Sequence, residues 1–198
     1  MNHLAKAGIA TLSAGAIGSA GYGGYVYFSK DSFASKLGIS LLNLTGDSNE
    51  ATWGERFKEF NSTTTGLDPS LNKTSIKKWK DLQKWCNDNK NNSFNKGDQK
   101  FQNFESFCTW KIGDKITSNI PKDAGPEVDV WKTAHTQLKT RSQGKTLSEK
   151  LQTVLTTEAG TDKADQKAMH KWCTDAYKNT WRGNNDETFK EASEYCKS

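Results

Sequence analysis

The side chains with chemistry to offer are four cysteines, three histidines and a scatter of acid pairs. Cys86, Cys108, Cys173 and Cys196 could serve as nucleophiles, metal ligands or disulfide partners. A cysteine nucleophile needs an activating base and donors for an oxyanion. A zinc site needs two close pairs of ligands. His170 precedes Cys173 by three positions, yet no second Cys-x2–4-Cys or His-x3–5-His pair supplies the missing ligands. His135 falls within a helical apolar pattern, and His3 lies in the N-terminal tail. No glycine-rich phosphate loop and no His-Glu-x-x-His occurs. Acid pairs such as Asp186-Glu187 fall where helices are expected to begin, a placement that the helix dipole favours without any catalytic role. These residues predict no catalytic, cofactor or metal site, and the chain reads as a non-enzyme.

Comparing the chain with itself shows what the cysteines are for. Trp53-x3-Phe57-x2-Phe60 matches Trp131-x3-His135-x2-Leu138, positions that share one helical face. Leu82-x-Lys84-Trp85-Cys86-x-Asp88 matches Met169-x-Lys171-Trp172-Cys173-x-Asp175. Counting back from the last cysteine of each half, Asp98, Phe101, Phe104, Phe107 and Cys108 match Asp186, Phe189, Ala192, Tyr195 and Cys196, an amphipathic helix ending on its cysteine. Turn residues separate the last two blocks, Asn91-Asn92-Ser93 in one copy and Arg182-Gly183-Asn184-Asn185 in the other. Each copy reads as a lead helix, a linker and a helical hairpin. The second linker has room for a further helix near Leu147 to Leu155. Thr74 or Ser75 is the expected cap of the first hairpin, and Asp162 that of the second. Pro121, Gly125 and Pro126 mark the boundary. The expectation is a mainly α protein with an N-terminal membrane segment over 1–30 and two helical Trp-Cys repeats over 31–120 and 121–198.

An even set of cysteines in an exported chain favours disulfides. The near-equal spacing puts Cys86–Cys108 and Cys173–Cys196 first among the three connectivities, with four buried thiols as the alternative. A simple antiparallel hairpin would leave each pair of sulfurs offset along the axis, so the bridge requires a bent connection.

Export is inferred from the start of the chain. Residues 7–29 carry no charge and are bracketed by Lys6 and Lys30. As a helix the run would be about 35 Å long, enough to cross a hydrocarbon core of about 30 Å. Tyr22, Tyr25, Tyr27 and Phe28 suit an interface belt, and Gly8, Gly15, Gly18 and Gly21 allow close helix contact. An uncleaved anchor through residues 4–29 is the first reading, with a cleaved signal peptide as the alternative. Either one puts the body outside the cell, and the anchor makes the chain a single-pass cell-membrane protein.

The chain is polar, with a mean hydropathy of −0.84, so its seven Trp and nine Phe must supply a thin core. Its basic residues alternate with Asp, Glu and Asn instead of forming the cluster that phosphate binding needs, which argues against nucleic acid. Trp110 and Trp181 have no counterpart in the other copy and are candidate contact aromatics, although packing also accounts for them.

The anchor, the stretch Phe33-Ala34-Ser35-Lys36-Leu37, the Trp-led helix at Trp53 and the Trp-Cys ends together resemble the large paralogous families of uncharacterised proteins in haemotropic mycoplasmas. The resemblance implies a surface-exposed body, no assigned enzymatic activity, and a role in antigenic variation or host contact with a host protein or antibody as partner. An adhesin-like module using exposed aromatics and an extracellular hydrolase are the alternatives.

Overall fold

The computed structural model describes residues 31–95 and 97–197; the expected anchor and His3 lie outside them. The described chain is mainly helical. Its α-helices are α1 (Phe33–Leu37), α2 (Glu50–Ser62), α3 (Trp79–Asn89), α4 (Gln99–Phe107), α5 (Asp129–Arg141), α6 (Glu149–Leu155), α7 (Ala164–Lys178) and α8 (Glu187–Tyr195). Short 3-10 turns cover Gly38–Ser40 and Ile112–Asp114. Among the described residues extended backbone pairs only as isolated bridges, and no helix is long and apolar enough to cross a membrane.

Two apolar cores follow one another along the chain. The first gathers Phe33, Trp53, Phe60, Leu82, Phe104 and Cys108. The second gathers Trp131, Leu138, Met169, Cys173, Tyr195 and Cys196. Trp53 and Trp131 are both fully buried, and each indole N–H is satisfied by a backbone carbonyl of the preceding loop, Asn43 at 3.1 Å and Gly125 at 3.1 Å. Phe33 meets the rings of Phe101 and Phe104 at 5.2 and 5.4 Å, so the five-residue α1 is held by burial where its length would not sustain it.

The change from one core to the next falls between Cys108 and Ile112, ahead of Pro121. Ile112, Ile116 and Ile120 all pack in the second core. Proline and glycine mark where the chain turns, but the core a segment joins is decided by its apolar side chains. The backbone agrees: Leu42 N–H donates to Cys108 C=O in the first half, and Ile120 N–H donates to Cys196 C=O in the second, both at 3.0 Å.

Both cysteine pairs are bridged, Cys86 to Cys108 and Cys173 to Cys196, with Cα atoms 5.8 Å apart in each. The bent connection supplies the geometry. Cys86 lies about 5 Å from the end of α3, whereas α4 runs about 14 Å before Cys108. The difference of roughly 9 Å is covered by about three extended residues. Residues 90–95 begin that excursion, pairing Ser93 with Ser32, and Thr180 pairs with Lys111 in the second half.

Helix starts follow the polar residues only in part. Asp98 accepts from Lys100 N–H at 2.9 Å, and Asp186 from Phe189 N–H at 2.8 Å, as N-caps should. Neither Thr74 nor Ser75 caps α3. Asn72 draws their N–H groups into a turn of its own, and α3 starts later, where Asp81 accepts from Lys77 and Lys78 N–H. Asp162 does not cap α7 either; the entry residue is Lys163, in the left-handed region at φ 57°. The expected extra helix in the second linker is α6. It is capped by Ser148 and anchored by Glu191, whose carboxylate accepts from Ser148 N–H at 2.6 Å and Ser148 O–H at 2.7 Å.

Candidate functional site

The cysteines are consumed by the two disulfides, which removes any thiolate from consideration. His135 is 2% exposed, and its Nε2 lies 2.9 Å from the carbonyl oxygen of Val154. Its Nδ1 faces the buried Asp165 carboxylate at 3.8 Å, beyond hydrogen-bond range. The ring therefore ties α5 to α6 and is closed to solvent. His170 is half-buried with its ring edge-on to Trp131 at 5.2 Å. Among the described residues no group of His, Cys, Asp and Glu is disposed to hold a metal ion.

Trp110 and Trp181, far apart in sequence, meet at the seam between the cores. Trp181 N–H donates to Trp110 C=O at 2.9 Å, and the Lys115 ammonium lies 3.4 Å from the Trp110 ring centroid and 5.0 Å from that of Trp181. Both indoles are half-buried; Trp110 packs on the first core and Trp181 on the second. Burial lowers the pKa of Lys115, and Asp114 opposes the shift.

The seam itself is polar and charged. At its centre Arg56 of α2 is 1% exposed. Its Nε donates to Thr109 C=O at 3.2 Å, one terminal nitrogen donates to both Glu59 oxygens at 3.2 Å, and the other pairs with Asp114 of the second half. Arg182 pairs with Glu105 at 2.7 Å and Lys122 with Glu55 at 3.2 Å, both also spanning the two halves. A guanidinium suits this place because its fork satisfies several oxygens in one plane.

Beside Arg56, Lys111 reaches across the seam with no carboxylate at its tip. Its ammonium donates to Glu105 C=O at 3.1 Å and lies 3.5 Å from the Thr180 hydroxyl. Burial pushes its pKa down to about 8, and the neighbouring Arg56 charge acts in the same direction; Glu59, Glu105 and Asp114 oppose them. Three hollows, of about 620, 410 and 490 Å³, share Lys111 and Lys178 in their walls. The largest runs between Glu55, Arg56 and Glu59 on one side and Pro121, Lys122 and Asp123 on the other.

Arg56 and Lys111 are not conspicuous in the sequence. Arg56 does carry a signal, since it lies on the Trp53–Phe60 face and takes the place of Ala134 in the matched helix, which puts a charge in an apolar register. Lys111 carries none, because its burial depends on where the second half docks.

No protein-family model matches the chain, and comparison with curated proteins and with solved structures gives no significant match.

Proposed function

We propose that the chain is a membrane-tethered, surface-displayed scaffold of two related helical units that presents polar faces to a host and carries out no catalysis. The observation that carries this reading is the pair of disulfides, one across each helix pair. Such bonds persist in oxidising surroundings, which supports a body on the outer side of the membrane. The uncharged run over 7–29 supplies the tether. The matched Trp-Cys blocks argue for duplication of one unit, and their resemblance to the haemotropic mycoplasma families points to antigenic variation or host contact. Intact cells treated with protease should lose the body and keep only a short N-terminal fragment. Full protection of the body, or free thiols at all four cysteines in protein taken directly from cells, would sink the reading.

A second reading, a host-cell adhesin, draws on the meeting of Trp110 and Trp181 at one place. Paired Trp110→Phe and Trp181→Phe substitutions retain an aromatic ring at each position and remove the indoles. Cell attachment should fall in this variant, and unchanged attachment by a folded variant ends the adhesin reading.

A further inference from the structure

We propose that the indoles of Trp110 and Trp181 form a cation site for a quaternary ammonium group of the choline type, and that the Lys115 ammonium plugs this site until such a guest displaces it. This deepens the adhesin reading, on which it rests, by naming the chemistry that the two indoles hold. Five lysines among the described residues lie over an aromatic ring. Four of them are also tied to an oxygen: Lys36 to Asp31, Lys73 to the Asn61 carbonyl, Lys80 to Asp47 and Lys145 to Glu194. Lys115 makes no hydrogen bond or ion pair among the described residues, and it alone of the five lies over two rings, 3.4 Å from the Trp110 centroid and 5.0 Å from that of Trp181. What these rings accept is thus shown by the cation they already share.

The class of guest follows from the balance of charge and hydration. A primary ammonium gives up hydrogen bonds to water on entering, and here no protein oxygen replaces them, which is why burial lowers the pKa of Lys115. Asp114 opposes that shift, so its charge favours a cation at this place. A trimethylammonium group donates no hydrogen bond and brings the charge without that loss. Its methyl groups also suit an apolar rim. Ile39 stands there, 56% exposed; its neighbour Ser40 takes Trp110 N–H at 2.7 Å, and Ile39 Cδ1 packs so closely on Gly183 that a Cβ there would meet it at 3.0 Å. The Trp181 indole N–H is buried with no acceptor, so no hydrogen bond fixes that ring against a small adjustment to a larger guest. Lys115 is half-buried at the end of a 3-10 turn, where its flexible stem can swing out into water.

The full chain, purified with its disulfides intact in a detergent free of choline, is titrated with choline chloride and with ethanolamine hydrochloride at matched ionic strength, and the indole N–H resonances are followed by NMR. Choline should shift the Trp110 and Trp181 resonances, leave those of the buried Trp53 and Trp131 unmoved, and bind about fivefold more tightly than ethanolamine. Lys115→Gln removes the plug and should tighten choline binding about fivefold, an outcome that a purely structural lysine does not produce. Trp181→Leu should weaken it about tenfold, and if that variant fails to fold, Lys115→Gln carries the test. Glycerophosphocholine, a lipid headgroup without its chains, is titrated in parallel: tighter binding than choline assigns the guest to a lipid surface, weaker binding to a free solute, and either supports the site. No shift of either indole at tens of millimolar choline, equal affinity for ethanolamine, or unchanged or weaker choline binding in folded Lys115→Gln would each overturn the proposal. Cell attachment is read separately. Choline binding with attachment unaffected by the paired Phe substitutions ends the adhesin reading alone, and attachment lost in that variant without any choline shift in the parent ends the choline site alone.

Discussion

Replacing Arg56 with methionine tests whether a buried guanidinium joins the two halves. The substitution keeps an apolar stem of similar length in the helix and deletes every polar contact of the head group. Thr109, itself fully buried, loses the donor to its carbonyl oxygen, a penalty of about 1–3 kcal/mol. Deleting one partner of a fully buried ion pair costs about 3–5 kcal/mol. Here the orphaned carboxylates regain water, since the side chains of Asp114 and Glu59 are 21% and 40% exposed, so their part is well below that figure. The sum is a loss of about 3 kcal/mol. For a chain of this size that lowers the melting temperature by about 6–12 °C. Thermal unfolding of the oxidised full chain, followed by near-UV circular dichroism, reads it directly. Asp114→Asn alone should cost about 1 kcal/mol, and the double variant should fall short of additivity by about 1–2 kcal/mol, because the two changes remove the same contact. Stability of Arg56→Met within 0.5 kcal/mol of the parent, or strict additivity with Asp114→Asn, would refute the claim that this contact holds the halves together.

Three other outcomes follow from the same structure. Replacing Cys86 and Cys108 with serine opens a loop with a sequence separation of 22 and should cost about 3 kcal/mol in the chain-entropy model, with hydrogen exchange rising first in α3 and α4. Lys111→Met should stabilise the chain at pH 7 by about 1–3 kcal/mol, because the fold disfavours the charged amine. The folded value is near 8 and the unfolded one 10.5, so the unfolded chain holds more protons between them, and the parent gains stability as pH rises across that window while the variant does not. Denaturant midpoints at pH 7 and pH 10.5 should therefore differ between the two proteins at the lower pH and converge at the higher. Glu191→Ala leaves Ser148 N–H and O–H without their acceptor and should cost about 1–2 kcal/mol, read as faster amide exchange across α6.

Both cores are thin. Each closes on one fully buried tryptophan, Trp53 or Trp131, a handful of aromatic and aliphatic side chains and a disulfide, so the cross-links contribute a large share of the margin.

The helical blocks were legible because their apolar positions recur at helical spacing, from Trp53 to Phe60 and from Met169 to Cys173, and because Asp98 and Asp186 stand where helices begin. Caps at α3 and α7 were not. Thr74 and Ser75 have the right chemistry, but Asn72 competes for their N–H groups, and only the folded loop shows which turn wins. The extra residues 111–120 joined the second core for a similar reason: Pro121 is a strong local signal, whereas the burial of Ile112 and Ile120 depends on contacts with Cys196 and α7 far along the chain.

The sequence by itself determined the helical class and the two matched Trp-Cys blocks, since these rest on periodicity along one chain, whereas the cysteine spacing only favoured the pairing that the folded structure makes. Tertiary structure alone decided how the halves meet. Arg56 reaches Asp114, Trp110 meets Trp181, and Lys111 is left between neutral oxygens beside a hollow, because each of these contacts joins residues that no local pattern brings together. Charge at a seam is set by which partners arrive there, and that is settled only when both cores have formed.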